Sequence, residues 1–187
     1  MTKLNFLSVC WGLLVLVWLV STFSVKPTKE RQHWVGQLAT IAYLTLTYLL
    51  LAEKIPWRGI NTRILPNEWA LRLLGDIIIF TGLVISIWAR LSLGTNWSVT
   101  VTFREGHELI QRGPYRFVRH PMYTGLLMMI AGTAVVVGTI SALTSLIICF
   151  LGTWWKLREE EALLMKHFPD VYQRYKSHTK ALVPFIF

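Results

Sequence analysis

Cysteines and acidic side chains are scarce in this sequence, and both shortages exclude kinds of site. The 187 residues include two Cys, and 10 Asp and Glu stand against 19 Lys and Arg. Cys10 and Cys149 do not form a CxxC pair, so a metal or redox pair is not indicated and both are predicted to be packing residues. His167 and His178 lack a second ligand at metal-binding spacing and are predicted to be surface residues. No metal cofactor is expected.

Uninterrupted apolar runs, by contrast, are long. Hydrophobic residues make up 53% of the chain and the mean hydropathy is +0.47, which is too apolar for an ordinary soluble core. Residues 6–25, 34–52 and 73–93 each approach the length of about 20 residues that a helix needs to cross a bilayer. Residues 6–25 contain two Trp and lack a small-x-small cleavage site, so we predict a retained span rather than a signal peptide.

A fourth apolar block, residues 122–157, is too long for one span. As a single helix it would extend roughly 54 Å, against a hydrocarbon core of about 30 Å. Residues 137–141 include Gly138 and small polar residues, which suit a turn and a helix cap. The sequence therefore predicts an all-α integral membrane protein with five transmembrane helices, the fourth and fifth forming a tight hairpin. We expect a single domain over residues 1–187, with a three-helix membrane anchor (1–93) and a catalytic region (94–187).

The distribution of Lys and Arg predicts the orientation in the membrane. With five spans, residues 26–33, 90–119 and the tail from Lys156 lie on one side and hold the larger share of the 19 basic residues. Short cytoplasmic segments are rich in Lys and Arg. The N-terminus is therefore predicted to lie outside, and the C-terminus and active site in the cytoplasm. Anionic membrane lipid then accounts for the net charge of +9, and no nucleic-acid partner is needed.

Polar residues are concentrated in two segments, both predicted to be cytosolic: residues 94–123 and 156–187. In the first, Pro121 fits the first turn of a helix, and His120 before it is biased away from helical geometry. Arg119, His120 and the unpaired NH groups of that helix start would together favour an anion. Tyr115 and Tyr123 would add aromatic faces suited to an adenine ring or a sulfonium cation. The alternative is that these side chains form an interfacial belt with snorkelling arginines.

The second segment passes abruptly from apolar to ionic at Lys156, Arg158 and the carboxylates of residues 159–161. Glu160 and Glu161 point about 100° apart on a helix, so one can face a site while the other faces water. A carboxylate suits the two hydroxyls of a ribose, as in dinucleotide sites. A solvated helix face is the alternative, above all for Glu159. An amphipathic C-terminal helix follows, whose Tyr172 and Tyr175 are equally compatible with interfacial anchoring and with ligand contact.

These motifs resemble the isoprenylcysteine carboxyl methyltransferase family, whose relatives include phospholipid N-methyltransferases and thiol methyltransferases. The first motif is GHxL at residues 106–109 followed by GPYxxxRHPxY at 113–123; the second is EExxLxxxFxxxYxxY at 160–175. Together they cover about the C-terminal half of the chain. Two departures from the family pattern are Lys156, where Arg is common, and Pro169, where Gly is common. Lys keeps the charge but loses the bidentate geometry of Arg.

The resemblance implies an S-adenosylmethionine cofactor and a membrane-embedded acceptor, the carboxylate of an isoprenylcysteine-like or other lipophilic molecule, that enters from the bilayer. The implied cofactor-binding residues are His107, Leu109, Gly113, Pro114, Tyr115, Arg119, His120, Pro121, Tyr123 and Glu160. The implied catalytic residues are Arg119, Glu161, Arg158 and Lys156. A carboxylate acceptor would need a cation to orient it, with Arg119 first, whereas an amine or thiol would need a base such as Glu160 or Glu161.

Other functions remain open at this point. A phospholipid N-methyltransferase or a thiol S-methyltransferase would use the same cofactor. An NADPH-dependent membrane reductase, a non-catalytic membrane scaffold and a small transporter are the further alternatives. The oligomeric state is not indicated by the sequence.

Overall fold

The computed structural model describes residues 5–22, 28–31, 34–57, 59–94, 102–104 and 109–183. Five apolar helices follow one another along the chain, with a short amphipathic helix after the fifth. Their bounds are α1 Phe6–Thr22, α2 Trp34–Leu51, α3 Trp69–Leu93, α4 Pro121–Val137, α5 Ile140–His167 and α6 Pro169–His178. Helices α2, α3 and α5 are long and apolar enough to cross a membrane, and α1 and α4 are apolar helices of 17 residues. Large apolar side chains are exposed along the outer faces of α1, α2 and α3, as expected of lipid-facing helices.

The helices run up and down, and their connections gather at two ends. At one end the α4–α5 turn meets the segment between α2 and α3, because the amide of Ser141 donates to the carbonyl of Ile60 at 2.7 Å. At the other end, strand β1 (Thr28–Arg31) between α1 and α2 pairs antiparallel with strand β2 (Thr102–Arg104) between α3 and α4. Thr28 lies opposite Arg104, and Arg31 lies opposite Thr102. The described parts of the three basic segments share this end of the bundle, because the amide of Arg119 also donates to the carbonyl of Lys180 in the tail.

A seam of glycines brings α3 and α4 into backbone contact. A Cβ built on Gly82 would lie 2.5 Å from the carbonyl oxygen of Gly125, and one built on Gly132 would lie 2.5 Å from the carbonyl oxygen of Gly75. The two glycines of each helix are seven positions apart, so they lie on the same face of that helix. Small residues on facing sides permit the close approach that is common in membrane helix pairs. This contact fixes the start of α4 against the bundle.

The buried core joins four of the helices. Leu14 from α1, Ile79 from α3, Met129 from α4 and Cys149 from α5 belong to one cluster and are at most 1% exposed. Cys10 lies in the same cluster, so the prediction that both cysteines pack in the interior is confirmed.

Most predicted elements agree with the structure, with two corrections. The hairpin turn lies where it was predicted, because Gly138 ends α4 in the left-handed conformation (φ 71°) and the Thr139 hydroxyl caps α5. Helix α3 begins at Trp69, one turn before the predicted span, since interfacial residues extend the helix beyond the apolar run. Pro169 begins α6 directly after α5 ends at His167, so it divides the C-terminal amphipathic stripe between two helices. The predicted all-α class holds for the bundle, to which the structure adds the two-stranded ribbon.

Candidate functional site

The hairpin of α4 and α5 brings the two sequence motifs together. Because the helices are antiparallel and joined at Gly138, the first residues of α4 lie beside the last turns of α5. Pro121 is the first residue of α4, and His120 is its N-cap with an extended φ of −126°. Arg119 and His120 thereby meet Glu160 and Glu161, about forty residues away along the chain.

Glu161 is the centre of a compact ionic cluster. Its Oε1 accepts from Arg119 Nε at 2.7 Å and lies 3.4 Å from His120 Nε2, while its Oε2 lies 2.8 Å from Lys176 Nζ. Arg119 Nη1 also donates to the carbonyl of Thr179. Only 8% of the Glu161 side chain and 9% of the Arg119 side chain are exposed, so this is a well-shielded ion pair with several hydrogen bonds.

Glu160 is the more open of the two carboxylates. Its Oε1 accepts from the Tyr123 hydroxyl at 2.6 Å, and its Oε2 lies 3.4 Å from His120 Nδ1. Its side chain is 26% exposed, against 8% for Glu161. His120 therefore bridges the two carboxylates, and Glu160 is the one that remains accessible to a ligand.

The bridging position determines the charge of His120. Burial disfavours the charged imidazole, but the hydrogen bonds and negative charges of Glu160 and Glu161 outweigh it, so the pKa of His120 is raised above its ordinary value. The imidazolium form donates from both ring nitrogens, which matches one carboxylate on each side.

A pH titration of stability tests this arrangement. Since folding raises the pKa of His120, the stabilisation is complete below the ordinary value of about 6.5 and is lost as the pH rises through the raised folded-state value. A rise of one in the pKa of His120 corresponds to about 1.4 kcal/mol of stability, or roughly 3–6 °C in unfolding temperature for a chain of this size. We expect thermal unfolding in detergent to show this decrease above about pH 6.5, and His120→Gln to remove it. His178→Gln, at an exposed histidine, should keep the decrease; an unchanged pH profile in His120→Gln would contradict the bridging role.

A 3-10 turn, Gly113–Arg116, supports the cluster from one side. Gly113 has a φ of +63°, and a Cβ there would lie 2.5 Å from Ser92 Oγ of α3, so glycine is required at this close approach.

Tyr115 in this turn is buried, and its carbonyl accepts from the Tyr175 hydroxyl at 2.6 Å. Burial, with the charge of Glu160 adding to it, raises the pKa of the Tyr115 phenol well above its usual range. Pro114 is buried, and its carbonyl accepts the amide of Phe117 at 3.1 Å.

The chain after α6 closes the cluster from the other side. The amide of Arg119 donates to the carbonyl of Lys180 at 2.8 Å, and the amide of His120 donates to Ala181 at 3.0 Å. Thr124 Oγ1 donates to the carbonyl of Leu182 at 2.7 Å. Of the NH groups expected to be unpaired at this helix start, that of the N-cap His120 is therefore bonded to the following chain.

The other residues singled out by sequence lie at different distances from this cluster. Lys156 is buried one helical turn before Glu160. Arg158 is exposed, and its guanidinium stacks over the Trp154 ring at 4.7 Å, so the structure does not bring it to the cluster. Leu109 is half-buried in the segment before the 3-10 turn. His107 lies outside the described residues.

Sequence reasoning missed two members of the cluster, Lys176 and the backbone of Thr179. Lys176 lies in the last turn of α6 and Thr179 follows that helix, and nothing in the spacing of the motifs pairs a lysine on this helix with Glu161. Tyr172 and Tyr175 are buried, at 0% and 7% exposure, so both pack inside the protein rather than anchoring it at the lipid interface. Burial raises the pKa of both phenols, which keeps them neutral.

Comparison with known proteins places this arrangement in a family. Residues 71–171 match the family model of phospholipid methyltransferases. Protein-S-isoprenylcysteine O-methyltransferase A of Arabidopsis thaliana is 28% identical over 125 residues, covering 65% of this chain and 64% of that protein. The Xenopus laevis protein-S-isoprenylcysteine O-methyltransferase is 30% identical over 137 residues, covering 68% of this chain and 46% of that protein. The chain thus spans less than two thirds of the length of these relatives.

The fold also has a solved counterpart. The structure of a eukaryotic intramembrane Ras methyltransferase, isoprenylcysteine carboxyl methyltransferase, superposes with a TM-score of 0.57 at 21% identity, covering 83% of this chain and 54% of that one. That likeness concerns the fold. The segment that matches the family model, residues 71–171, runs from early α3 into α6. It therefore contains the cluster residues at the start of α4 and those at the end of α5. This chain belongs to the phospholipid methyltransferase family, and within it resembles the isoprenylcysteine carboxyl methyltransferases.

Proposed function

We propose that this protein transfers a methyl group from S-adenosylmethionine to the carboxylate of an isoprenylcysteine-like acceptor in the membrane. One observation carries the proposal: Glu160 and Glu161 of α5 are joined to Arg119, His120 and Tyr123 of α4 in a single cluster. The cluster lies at the bundle end to which the basic connecting segments also belong. The names of the similar proteins support the same chemistry.

The residues present fit S-adenosylmethionine. Its positive sulfonium is the source of the transferred methyl group. Glu160 offers an accessible carboxylate beside the cluster, which can accept hydroxyl hydrogen bonds or balance a positive charge. Tyr115, Tyr123 and Glu160 are the proposed main contacts of this donor, together with the polypeptide of residues 107–121. The rings of His120 and Tyr123 lie 5.9 Å apart and give this side of the cluster an aromatic surface.

The cluster positions groups rather than moving protons. Glu161 fixes Arg119 and His120, and the short Tyr123 contact fixes Glu160, so the polar groups are set before a ligand arrives. Arg119 is the proposed cation that orients the acceptor carboxylate. Lys156 is the next candidate because it is buried one turn before Glu160, whereas Arg158, which stacks on Trp154 away from the cluster, is not retained in this role.

The charged form of Glu161 favours a carboxylate acceptor over an acceptor that needs a general base. A carboxylate is already deprotonated at neutral pH, so its methylation needs no general base. Glu161 is surrounded by three cationic or hydrogen-bonding side chains, which hold it in the charged form and make it a poor base. An amine acceptor, as in a phospholipid N-methyltransferase, is the second candidate because the matching family model is that of phospholipid methyltransferases. It would need Glu160 as the base.

The proposed topology has all five apolar helices spanning the bilayer, with the N-terminus outside and the cluster and C-terminus in the cytoplasm. The basic connecting segments share the cluster's end of the bundle, and short basic segments are retained on the cytoplasmic side.

A methyl-transfer assay with defined acceptors tests the function. Detergent-solubilised full-length protein would be incubated with S-adenosylmethionine labelled in its methyl group. The acceptors would be N-acetyl-S-farnesylcysteine, phosphatidylethanolamine and a long-chain thiol. We expect label in the farnesylcysteine, released by mild base as expected of a methyl ester.

The methyl ester of the same farnesylcysteine is the matched control, since its carboxylate is already blocked. Label in phosphatidylethanolamine but not in farnesylcysteine would replace the proposed acceptor with the amine. Calorimetry that detects binding of NADPH but not of S-adenosylhomocysteine would overturn the methyltransferase proposal and favour a reductase.

A further inference from the structure

A polar cavity lies outside the ionic cluster, between the 3-10 turn and α6. Its volume is about 420 Å³, within the range of roughly 300–1,000 Å³ that small-molecule sites occupy. The side chains that give it chemical character are Gln111, Arg116, Arg174 and His178. We refer to it as the α6 cleft.

The α6 cleft is basic. Arg116 enters from the 3-10 turn, and Arg174 and His178 stand one turn apart on α6. Among the described lining residues no side chain carries a carboxylate. Arg174 Nε donates to the backbone carbonyl of Asp170 at 3.4 Å, a long contact that does not neutralise the guanidinium. Two guanidinium groups with an amide and an imidazole are a donor set for a phosphate.

Tyr175 separates the α6 cleft from the ionic cluster. It lines the cleft, while its hydroxyl donates to the carbonyl of Tyr115 on the other side. Thr179 also lines the cleft, and its carbonyl accepts from Arg119. The cleft and the cluster are therefore adjacent, but Glu160, Glu161 and His120 do not line the cleft.

The surroundings of the cleft suit a membrane surface. It lies at the end of the bundle where α4 begins and α5 ends, immediately outside the apolar helices. Val171 lines the cleft and is 42% exposed, and Phe117, which is 45% exposed, has its ring centre 4.8 Å from the guanidinium of the lining residue Arg116. Exposed apolar side chains beside arginines are typical of the level at which lipid headgroups meet acyl chains.

We propose that the α6 cleft binds the phosphate of an anionic phospholipid headgroup. Basic pockets at the membrane end of helices bind such headgroups. The guanidinium groups contact the phosphate, and Phe117 and Val171 contact the upper acyl chain. This site is separate from the proposed methyl transfer and does not depend on it.

Lipid titration of the full-length protein tests this site. The protein would be held in nonionic detergent and titrated with dihexanoyl phosphatidylglycerol, dihexanoyl phosphatidylcholine or inorganic phosphate, with bound ligand measured by native mass spectrometry. We expect phosphatidylglycerol to bind at least about tenfold more tightly than either other ligand, because only it combines a net negative charge with acyl contacts. The double variant R116Q/R174Q should weaken phosphatidylglycerol binding by at least about tenfold.

The matched control is K54Q/K166Q, which removes the same charge from exposed lysines outside the cleft. It should bind phosphatidylglycerol within about twofold of the unmodified protein, since surface charge away from a site has little effect. Equal weakening in both double variants, or equal affinity for phosphatidylcholine, would overturn the site. Inorganic phosphate binding as tightly as phosphatidylglycerol would overturn the lipid assignment. If R116Q/R174Q does not fold, Arg174→Gln alone, at an exposed position of α6, should still weaken lipid binding measurably, and full binding would count against the site.

Discussion

Replacing Glu161 by glutamine is expected to lower methyl transfer about a hundredfold or more, because displacing positioned groups by about 1 Å costs this much. Glutamine keeps the shape of the side chain but removes the charge that holds Arg119, His120 and Lys176. The loss should appear in kcat for the labelled farnesylcysteine assay. The unfolding temperature should fall as well, since Arg119 then keeps its buried charge without a charged partner.

Glu159→Gln is the matched control for that experiment. Glu159 is the adjacent carboxylate, half-buried on α5, and it makes none of the contacts described for the cluster. It should retain near-normal turnover. Normal turnover in a folded Glu161→Gln protein would remove Glu161 from the site.

Replacing Glu160 by alanine is expected to weaken binding of S-adenosylhomocysteine by about 10- to 150-fold, the range for loss of hydrogen bonds to a charged group. Glu160 is the more open carboxylate of the pair, so donor affinity should fall, and the cluster also loses the contacts of Glu160 with Tyr123 and His120. Calorimetry with the detergent-solubilised protein measures it directly.

Tyr123→Phe provides an intermediate case for the same titration. It removes only the hydroxyl that donates to Glu160 at 2.6 Å and leaves the carboxylate in place. The affinity should fall by less than in Glu160→Ala, about tenfold, as for a single hydrogen bond to a charged group. If Glu160→Ala binds the demethylated donor as well as the unmodified protein, the donor contact must lie elsewhere.

The parts of this structure that depend on local chemistry were predictable from the sequence. Helix spans follow from apolar length, the hairpin turn follows from an apolar block longer than one bilayer crossing, and Pro121 fixes the start of α4. The motif residues on each side of that hairpin could be expected to meet, because a tight hairpin returns the chain to the same end of the bundle. Arg119, His120 and Glu161 do meet there.

Which side chains contact one another across distant parts of the chain was not predictable from the sequence. Arg119 was expected to face a ligand, and it also holds Glu161 and the carbonyl of Thr179. Periodicity could say that Glu160 and Glu161 point in different directions, but it could not say which one remains exposed. Lys176 enters through the docking of α6, which is set by packing around Tyr172 and Tyr175 and leaves no pattern in the motif spacing.

The pairing of residues 119 and 120 with 180 and 181 also bears on how the protein is made. These backbone bonds join a segment synthesised before the α4–α5 hairpin to one synthesised after it. The bonds of residues 119 and 120 to the chain after α6 can therefore form only after both helices of the hairpin have been synthesised. Completion of the ionic cluster is consequently a late event in biogenesis, because it requires residues 180 and 181 to be free to bond.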